Sequence, residues 1–416
     1  MPMSLQLHAS PAQPIDDQPW RLDLTLAIDA LALMAPAIEL QAYNPEGQLL
    51  WHSDSGSGGA WVGWLPRGQW RWSATFASTG PACRIVVRLH AGHGRQRAVI
   101  GEQAITLERG GTSSWVVPAW QVNAADDGPA VTDLSFRRGH EDWFFRHFDH
   151  AAGVIGDYML GDSPLLSGRV LDMGCGDGIT DLGLFLRHQP ELLIGVDPFR
   201  GYERLCEVAQ ANHLPLTELP SGLRFMDADG NHLPFPDDSF DVVVSWGSVE
   251  HIAGGYHQAL SEIRRVLRPD GLLFIHPGLY YSNFGHHLGE FSSEPHFHLK
   301  LPEAQLRELV LNTEPNYMDR AGEFSSPQQY WQWYTELNPI TVDGFEAELR
   351  ALGFEFHRAA VRAADRIDYS PELQRYPLLD LAIDELYLSC WNRKAARPTG
   401  FSVRDPASTV PSEFFP

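Results

Sequence analysis

The strongest constraint on the fold is the segment Val170–Gly178, in which an apolar strand runs into three glycines at alternate positions. Glycine permits left-handed backbone conformations and lets a backbone approach a ligand closely. The GxGxG spacing differs from the GxGxxG of dinucleotide-binding proteins, and an acid, Asp172, lies on the strand before the glycines. The segment therefore predicts a nucleotide-binding turn at the start of an α/β domain.

Strand and helix patterns alternate after this turn, which is typical of a doubly wound α/β fold with a mostly parallel sheet. The next strand ends in Asp197, where a carboxylate is placed to accept hydrogen bonds from a ribose diol. The predicted strands are Leu192–Val196, Leu223–Met226, Phe240–Trp246, Gly271–His276, Glu355–Arg362 and Glu385–Trp391. The predicted helices are Ile179–Arg187, Gly201–Asn212, Tyr256–Leu267 and Thr341–Leu352.

These features resemble class I S-adenosylmethionine-dependent methyltransferases, in the broad subgroup of ubiquinone and sugar methyltransferases, over roughly residues 140–300. The resemblance implies a Rossmann-like fold and S-adenosyl-L-methionine as the cofactor. It places Asp172 near the amino group, Asp197 on the ribose hydroxyls, and Asp229 at the adenine, with Asp227 as the alternative register. The residues implied to hold the cofactor are Asp172, Gly174, Gly176, Gly178, Asp197, Asp229, Gly230 and Ser245.

The acceptor side of such a domain follows the fourth and fifth strands. The stretch after the fourth strand lacks the Asn/Asp-Pro-Pro-aromatic motif typical of nucleobase amino methyltransferases, which disfavours that acceptor class. His251 lies where related enzymes often place a polar active-site residue; the alternative is a histidine that caps or packs against the next helix.

A histidine-rich insertion, residues 277–340, follows the fifth strand. Its Tyr-Ser…Gly-His-His-Leu stretch resembles a segment of methyltransferases from bacterial polysaccharide gene clusters. His286 or His287 is the candidate base that deprotonates an acceptor hydroxyl, and the alternative is a polar lid without proton transfer. The adjacent His-His and the His-x-His lack a spacing such as HExxH, so the sequence predicts no metal site.

Residues 1–120 differ from the rest of the chain in their pattern of apolar and turn-forming residues. Short alternating runs broken by turns predict an all-β sandwich, with strands at Leu22–Ile28, Ile38–Tyr43, Gln69–Thr75, Arg84–His90 and Trp115–Val117. The Leu65–Trp72 stretch resembles a hairpin entry of immunoglobulin-like domains, including the glycan-binding domain of O-antigen ABC transporters. Eight tryptophans suit stacking on sugars, and core packing or a dimerisation role is the alternative; they are Trp20, Trp51, Trp61, Trp64, Trp70, Trp72, Trp115 and Trp120.

The amino-acid composition disfavours some classes of binding partner and bears on where the protein is located. Acidic residues (53) outnumber basic residues (31) among 416, which disfavours nucleic acid and anionic membrane surfaces. Four scattered cysteines without a CxxC pair, and no apolar stretch that could span a bilayer, predict a cytoplasmic protein without a transmembrane segment. The predicted organisation is a sandwich (1–120), a linker (121–134), a methyltransferase domain (135–395) and a flexible tail (396–416).

The sequence therefore predicts an O-methyltransferase for a sugar hydroxyl of a bacterial surface polysaccharide or its precursor. The acceptor would be a saccharide or lipid-linked glycan, and a homo-oligomer is compatible with the sequence. Two alternatives stay open. One is a small-molecule methyltransferase of natural-product or quinone type. The other is a catalytically inactive glycan-binding assembly protein.

Overall fold

In the computed structural model, the structure describes residues 8–11, 20–54, 64–76, 83–107, 119–124, 143–212, 214–315 and 325–394. These residues divide into two compact units. The first comprises the residues before His150 together with Cys206–Glu218, and the second comprises the remainder.

The first unit contains two four-stranded antiparallel sheets, with strand orders β1-β2-β5-β8 and β4-β3-β6-β7. Buried and half-buried side chains alternate along β3, as expected for strands with one covered face. The packing of these sheets as a sandwich stays a prediction, and the predicted strand Trp115–Val117 lies outside the described residues. The strands are β1 His8–Pro11, β2 Trp20–Met34, β3 Ala37–Tyr43, β4 Leu49–Asp54, β5 Trp64–Phe76, β6 Cys83–Ala91, β7 Ala98–Leu107 and β8 Ala119–Ala124.

The second unit is built on a seven-stranded sheet of order β11-β10-β9-β12-β13-β15-β14. The first five strands in this order are parallel, and β15 runs antiparallel to both β13 and β14. The predicted Rossmann-like, mostly parallel sheet is confirmed. The strands are β9 Arg169–Met173, β10 Leu192–Val196, β11 Leu223–Met226, β12 Phe240–Trp246, β13 Leu267–His276, β14 Phe354–Ala363 and β15 Ile383–Asn392.

The inner parallel strands are near-continuous apolar runs because they are buried on both faces. All five residues of β10 are buried, and the helix that precedes β13 packs Leu260, Ile263 and Val266 against the same core. The helices are α1 Ile179–His188, α2 Leu205–Ala211, α3 His257–Val266, α4 Phe297–Lys300, α5 Glu303–Asn312, α6 Pro327–Glu336, α7 Val342–Ala351 and α8 Leu378–Ala382. Among the described residues, no helix combines the length and the apolar character needed to traverse a bilayer.

Two segments are less regular than predicted. The apolar and aromatic spacing from about Phe136 to Leu160 also predicts a helix before β9. The described part of this segment forms a short turn at Trp143–Phe145 and two π-helical stretches, Arg146–Ala151 and Val154–Met159. The predicted helix over 201–212 begins as a 3₁₀ turn, Gly201–Arg204, before α2. The insertion supplies α4, α5 and α6, which pack around an apolar cluster of their own; it comprises Leu288, Phe291, Phe297, Leu306, Val310, Tyr330, Tyr334 and Leu337.

Strand order fixes where a ligand can bind. Strand β9 lies between β10 and β12. The chain therefore adds β10 and β11 on one side of β9 and then crosses to its other side to add β12 and β13. In open α/β sheets, ligands bind in the crevice outside the carboxyl ends of the strands at such a switch point. The glycine loop follows β9 at this point, and Gly247–His251 follows β12 beside it.

Candidate active site

The glycine loop needs glycine at each of its three positions, for different reasons. Gly174, Gly176 and Gly178 all have positive φ angles, of 86°, 55° and 75°. A Cβ atom on Gly174 would lie 2.3 Å from the Ser248 side chain, and one on Gly178 would lie 2.6 Å from the Phe225 ring. A Cβ on Gly176 would instead meet nothing within 4 Å. The backbone at Gly176 therefore borders open space, as a ligand cradle requires.

Asp197 sits at the end of β10 and closes one side of this loop. Its carboxylate accepts hydrogen bonds from the backbone N–H of Gly176 (3.1 Å) and of Phe199 (2.8 Å). Burial raises the pKa of Asp197, while these backbone hydrogen bonds act in the opposite direction. The side chain is 8% exposed, so it presents a largely desolvated acceptor beside the glycine backbone.

Two carboxyl groups lie beneath the loop. Asp172 on β9 and Asp181 on α1 are both buried and are close enough to share a proton. Burial raises the pKa of Asp172 to about 7, and burial together with the charge of Asp172 raises the pKa of Asp181 well above its usual range. Apart from this contact between the two carboxyl groups, neither oxygen of Asp181 has a hydrogen-bond donor among the described residues, and nor does Oδ1 of Asp172. This arrangement suits a cationic ligand that would neutralise the pair.

The residues predicted at the adenine side lie at the same end of the sheet. A Cβ on Gly230 would lie 3.1 Å from both Met173 and Ile252, so this stretch runs beside the start of the glycine loop. Asp229 is exposed, and its Oδ1 accepts the backbone N–H of Asn231 (2.9 Å). The other oxygen of this exposed carboxylate, Oδ2, lies 3.5 Å from Nδ1 of the exposed His232 ring.

Ser245 lies inside β12 rather than in the loop after it. Its neighbour Val244 pairs in register with Asp172, so side-chain alternation sends Ser245 to the opposite face of the sheet. Its hydroxyl is fully buried and has no hydrogen-bond partner among the described residues. A cofactor contact from Ser245 stays a prediction.

Two side chains that the sequence analysis did not single out hold the site together. Ser248 donates from Oγ to the backbone oxygen of Gly174 (2.9 Å), which ties the loop after β12 to the glycine loop. Asn338, from the insertion, donates from Nδ2 to the backbone oxygens of Val249 (3.0 Å) and Ile252 (2.9 Å). Short polar residues in loops carry no periodic signal, so their roles emerge only from the fold.

The acceptor side holds a carboxylate flanked by two imidazoles, Glu250, His251 and His287. Nε2 of His287 lies 3.4 Å from Oε1 of Glu250, and Nε2 of His251 lies 4.0 Å from the same oxygen. The two rings are 4.7 Å apart at their centroids. At 3.4 Å the contact between His287 and Glu250 is longer than a well-formed hydrogen bond. A Cβ on Gly278 would lie 2.5 Å from Glu250, so only glycine admits this carboxylate.

Glu250 supplies the negative charge of this cluster. Burial alone would raise the pKa of Glu250, but the His287 and His251 imidazoles outweigh it and lower the pKa to about 2. Glu250 is 1% exposed, while the side chains of His251 and His287 are 27% and 34% exposed. The cluster thus combines a buried anion with two imidazoles that solvent, or an acceptor, can reach.

Four further histidines, three in the insertion and one at the end of β13, are engaged within the fold. His286 is buried, its Nδ1 accepts the backbone N–H of Leu288 (3.1 Å), and its ring stacks on His298 at 4.0 Å. His276, His296 and His298 each place a ring nitrogen 3.0 Å from a backbone oxygen. Of the two adjacent histidines that the sequence offered as a base, His287 is therefore the one that reaches the Glu250 cluster.

A comparison with known families bears on this same region. Residues 171–275, from β9 to the end of β13, match the family described as "Methyltransferase domain". These residues form a methyltransferase domain. The predictions of a methyltransferase and of S-adenosyl-L-methionine as its cofactor are confirmed for this domain.

Curated relatives match about a quarter to a third of the chain. The chain is 33% identical over 158 residues to 2-methyl-6-phytyl-1,4-hydroquinone methyltransferase 2 of Oryza sativa subsp. japonica, covering 34% of this chain and 43% of the relative. It is 38% identical over 109 residues to phthiotriol/phenolphthiotriol dimycocerosates methyltransferase 1 of Mycobacterium ulcerans, covering 26% and 37%. The match thus spans less than half the length of both relatives, and neither name mentions a sugar.

A solved structure of the YcgJ protein from Bacillus subtilis is 19% identical, with a TM-score of 0.36, and the similarity covers 59% of this chain and 99% of that one. Because this score is below 0.5, the assignment of the methyltransferase domain rests on the sequence match and on the strand order. The N-terminal resemblance to immunoglobulin-like and glycan-binding domains stays a prediction.

Proposed function

We propose that this chain transfers a methyl group to a hydroxyl oxygen of its acceptor. The observation that carries the proposal is the cluster of Glu250, His251 and His287 at the carboxyl ends of β12 and β13, beside the glycine loop. An alcohol is a weak nucleophile until its proton is lost or its charge is stabilised, and a desolvated carboxylate with two imidazoles suits that task. Of the predicted catalytic residues, His287 and His251 take this role, and His286 supports the fold around them.

The glycine loop fits the cofactor of this domain class. We assign Gly174, Gly176 and Gly178 to the methionine moiety, Asp197 to the ribose diol, and Asp172 with Asp181 to the ammonium group. When bound, S-adenosyl-L-methionine supplies a methyl group on a sulfonium sulfur, which the acceptor oxygen takes as the carbon–sulfur bond breaks. The open space at Gly176 and the unsatisfied oxygens of Asp181 support this fit.

The acceptor that we propose is a sugar hydroxyl of a surface polysaccharide or of its lipid-linked precursor. Support comes from the resemblance of the His286–Leu288 region to methyltransferases of polysaccharide clusters. The rival acceptor is a quinone or lipid, because both curated relatives are named for such compounds. In the proposed organisation, the methyltransferase domain spans 135–395 and receives its acceptor beneath the 277–340 insertion.

For the N-terminal sheets we propose a sandwich that either presents a glycan to the methyltransferase domain or pairs two subunits. Trp64 and Trp70 are 7% and 5% exposed, so these two of the eight tryptophans are core residues and offer no stacking surface. A glycan-binding role would therefore depend on the other six.

A labelled-methyl experiment tests the acceptor. Purified full-length chain is incubated with methyl-labelled S-adenosylmethionine and a cell extract, which is then separated into polysaccharide, lipid-linked glycan and small-metabolite fractions. We expect label in a glycan fraction with the wild type and little with His287→Ala. Label confined to quinones or lipids would overturn the saccharide acceptor, and label in no fraction despite bound cofactor would favour a binding protein without turnover.

The affinity for the cofactor is expected to depend on pH through Asp172. Burial raises the pKa of Asp172 to about 7, so the carboxyl is mostly protonated at pH 6 and mostly ionised at pH 7.5. An ammonium group binds the ionised form, so the affinity for S-adenosylhomocysteine should rise about eightfold over this interval, with release of a proton on binding. Calorimetric titration at several pH values measures this. The Asp172→Asn variant should bind more weakly and without the slope; an equal slope in that variant would contradict the assignment.

A further inference from the structure

The Glu250 cluster has two features that an acid–base pair alone does not explain. One ligand-type atom from each of Glu250, His251 and His287 lies within 4.8 Å of the other two. Both carboxylate oxygens of Glu250 and Nε2 of His287 are buried atoms without a hydrogen-bond partner among the described residues. A buried carboxylate whose nearest imidazole nitrogens lie 3.4 and 4.0 Å away is only loosely held, and proteins usually satisfy such a group with a close pairing charge or a metal ion.

We propose that Glu250, His251 and His287 bind a divalent first-row transition-metal ion such as Zn²⁺. Two imidazole nitrogens and one carboxylate oxygen form a common donor set for these ions, and three protein ligands leave coordination positions open. The donor atoms of Glu250 and His287 are buried, while both imidazole rings are partly exposed, so the proposed ion would lie just beneath the surface from which an acceptor arrives.

The backbone prepares this donor set in advance. Glu250 and His251 lie in a 3₁₀ turn, Val249–His251, and Asn338 braces this turn through the backbone oxygens of Val249 and Ile252. His287 has a left-handed backbone with φ of 52°, an uncommon conformation for a residue other than glycine. This conformation turns His287 toward Glu250 while its neighbour His286 stays in the core. Strain held at such a position is typical of functional residues.

The role of the ion rests on the function proposed above, although its binding does not. An acceptor hydroxyl coordinated at an open position would lose its proton to water more readily, because the cation stabilises the alkoxide. The alkoxide oxygen would then form its bond to the methyl carbon as the carbon–sulfur bond of S-adenosyl-L-methionine breaks. The sequence predicted no metal because the third ligand lies far along the chain from the other two.

A second group of similar atoms makes a poorer site. Asp157, Asp162 and His188 also lie within reach of a common ion. Arg187 already donates to the Asp157 carboxylate (3.1 Å), so its guanidinium group neutralises a carboxylate that an ion would need as a ligand. Burial and the positive charge of Arg187 lower the pKa of His188 to about 4. The lowered pKa thus reflects, in part, the same local positive charge.

Zinc titration of the chelator-treated, tag-free full-length chain tests the site, followed by calorimetry and repeated with Co²⁺ by visible absorption. We expect one equivalent to bind, with affinity falling at least about tenfold in His287→Ala and in Glu250→Gln. Two control variants should keep wild-type affinity: Asp162→Asn, from the second group, and His257→Ala, which removes an exposed histidine 3.2 Å from Glu348. Because His287 is partly exposed, its variant should fold even if the Glu250 variant does not.

The outcomes separate the ion from the proposed methyl transfer. Absence of saturable zinc binding, equal affinity in His287→Ala, or a loss confined to Asp162→Asn would overturn the metal site. S-adenosylhomocysteine titrated into the same variants should bind as in the wild type. Failure of the wild type to bind S-adenosylhomocysteine would defeat the proposed function and leave the metal site standing.

Discussion

Replacing Asp197 by alanine is expected to lower the affinity for S-adenosylhomocysteine at least about a hundredfold. The carboxylate is 8% exposed and borders the open cradle at Gly176, where a ribose diol would donate to it. Hydrogen bonds to a charged group contribute about 1.5–3 kcal/mol each, and two of them correspond to about a hundredfold or more. Isothermal titration calorimetry of the two proteins measures the difference.

Asp197 also accepts the backbone N–H of Gly176, so its loss would loosen the loop as well as remove a ligand contact. Gly176→Ala separates these causes, because its Cβ enters space that is empty of protein but required by the cofactor. Gly353→Ala is the matched control: its φ is also positive (81°), and its Cβ would make only an ordinary 3.5 Å contact with Arg264. Both alanines strain the backbone alike. Wild-type binding by Gly176→Ala would refute the cradle.

Removing the imidazole of His287 is expected to lower kcat about 100-fold or more and to leave the affinity for S-adenosylhomocysteine unchanged. A positioned group that helps to deprotonate the nucleophile contributes about 10²–10⁴ in rate. Glu250→Gln should have a similar effect, because the neutral amide keeps the shape and loses the anion that both histidines face. Initial rates at saturating cofactor, with the acceptor varied, separate kcat from KM.

His257→Ala serves as the control for these rates, since His257 is a 64% exposed histidine paired with a carboxylate outside the site. It should retain wild-type kcat. If His287→Ala and Glu250→Gln both keep kcat within about twofold of the wild type, the cluster does not activate the acceptor.

The cofactor side of the site was predictable from sequence because its signals are local. A glycine run after an apolar strand and an acid at the end of the next strand are contiguous patterns, and the sheet places both at one edge. Predicted strands Leu192–Val196, Leu223–Met226 and Phe240–Trp246 coincide with β10, β11 and β12. Continuous apolar runs of this kind reflect burial on both faces, which the sequence displays directly.

The acceptor side was only partly predictable, because tertiary contacts assemble it. Sequence could not distinguish His286 from His287, since adjacent residues differ here only through the left-handed turn at His287. Asp181 lies in the first turn of α1, where acids are common, and only the fold shows that it is buried against Asp172. Ser248 and Asn338 likewise act through contacts with chain-distant backbone.

The most direct test of the account is the chemical nature of the bond that holds the transferred methyl group. Product labelled from S-adenosylmethionine is treated first with mild alkali, which removes methyl esters, and then with hydriodic acid, which releases the methyl of an ether as volatile iodomethane. The account predicts label that survives alkali and becomes volatile with acid, and that is lost in Glu250→Gln. Label that stays non-volatile would show transfer to carbon or nitrogen and would contradict activation of a hydroxyl by the Glu250 cluster.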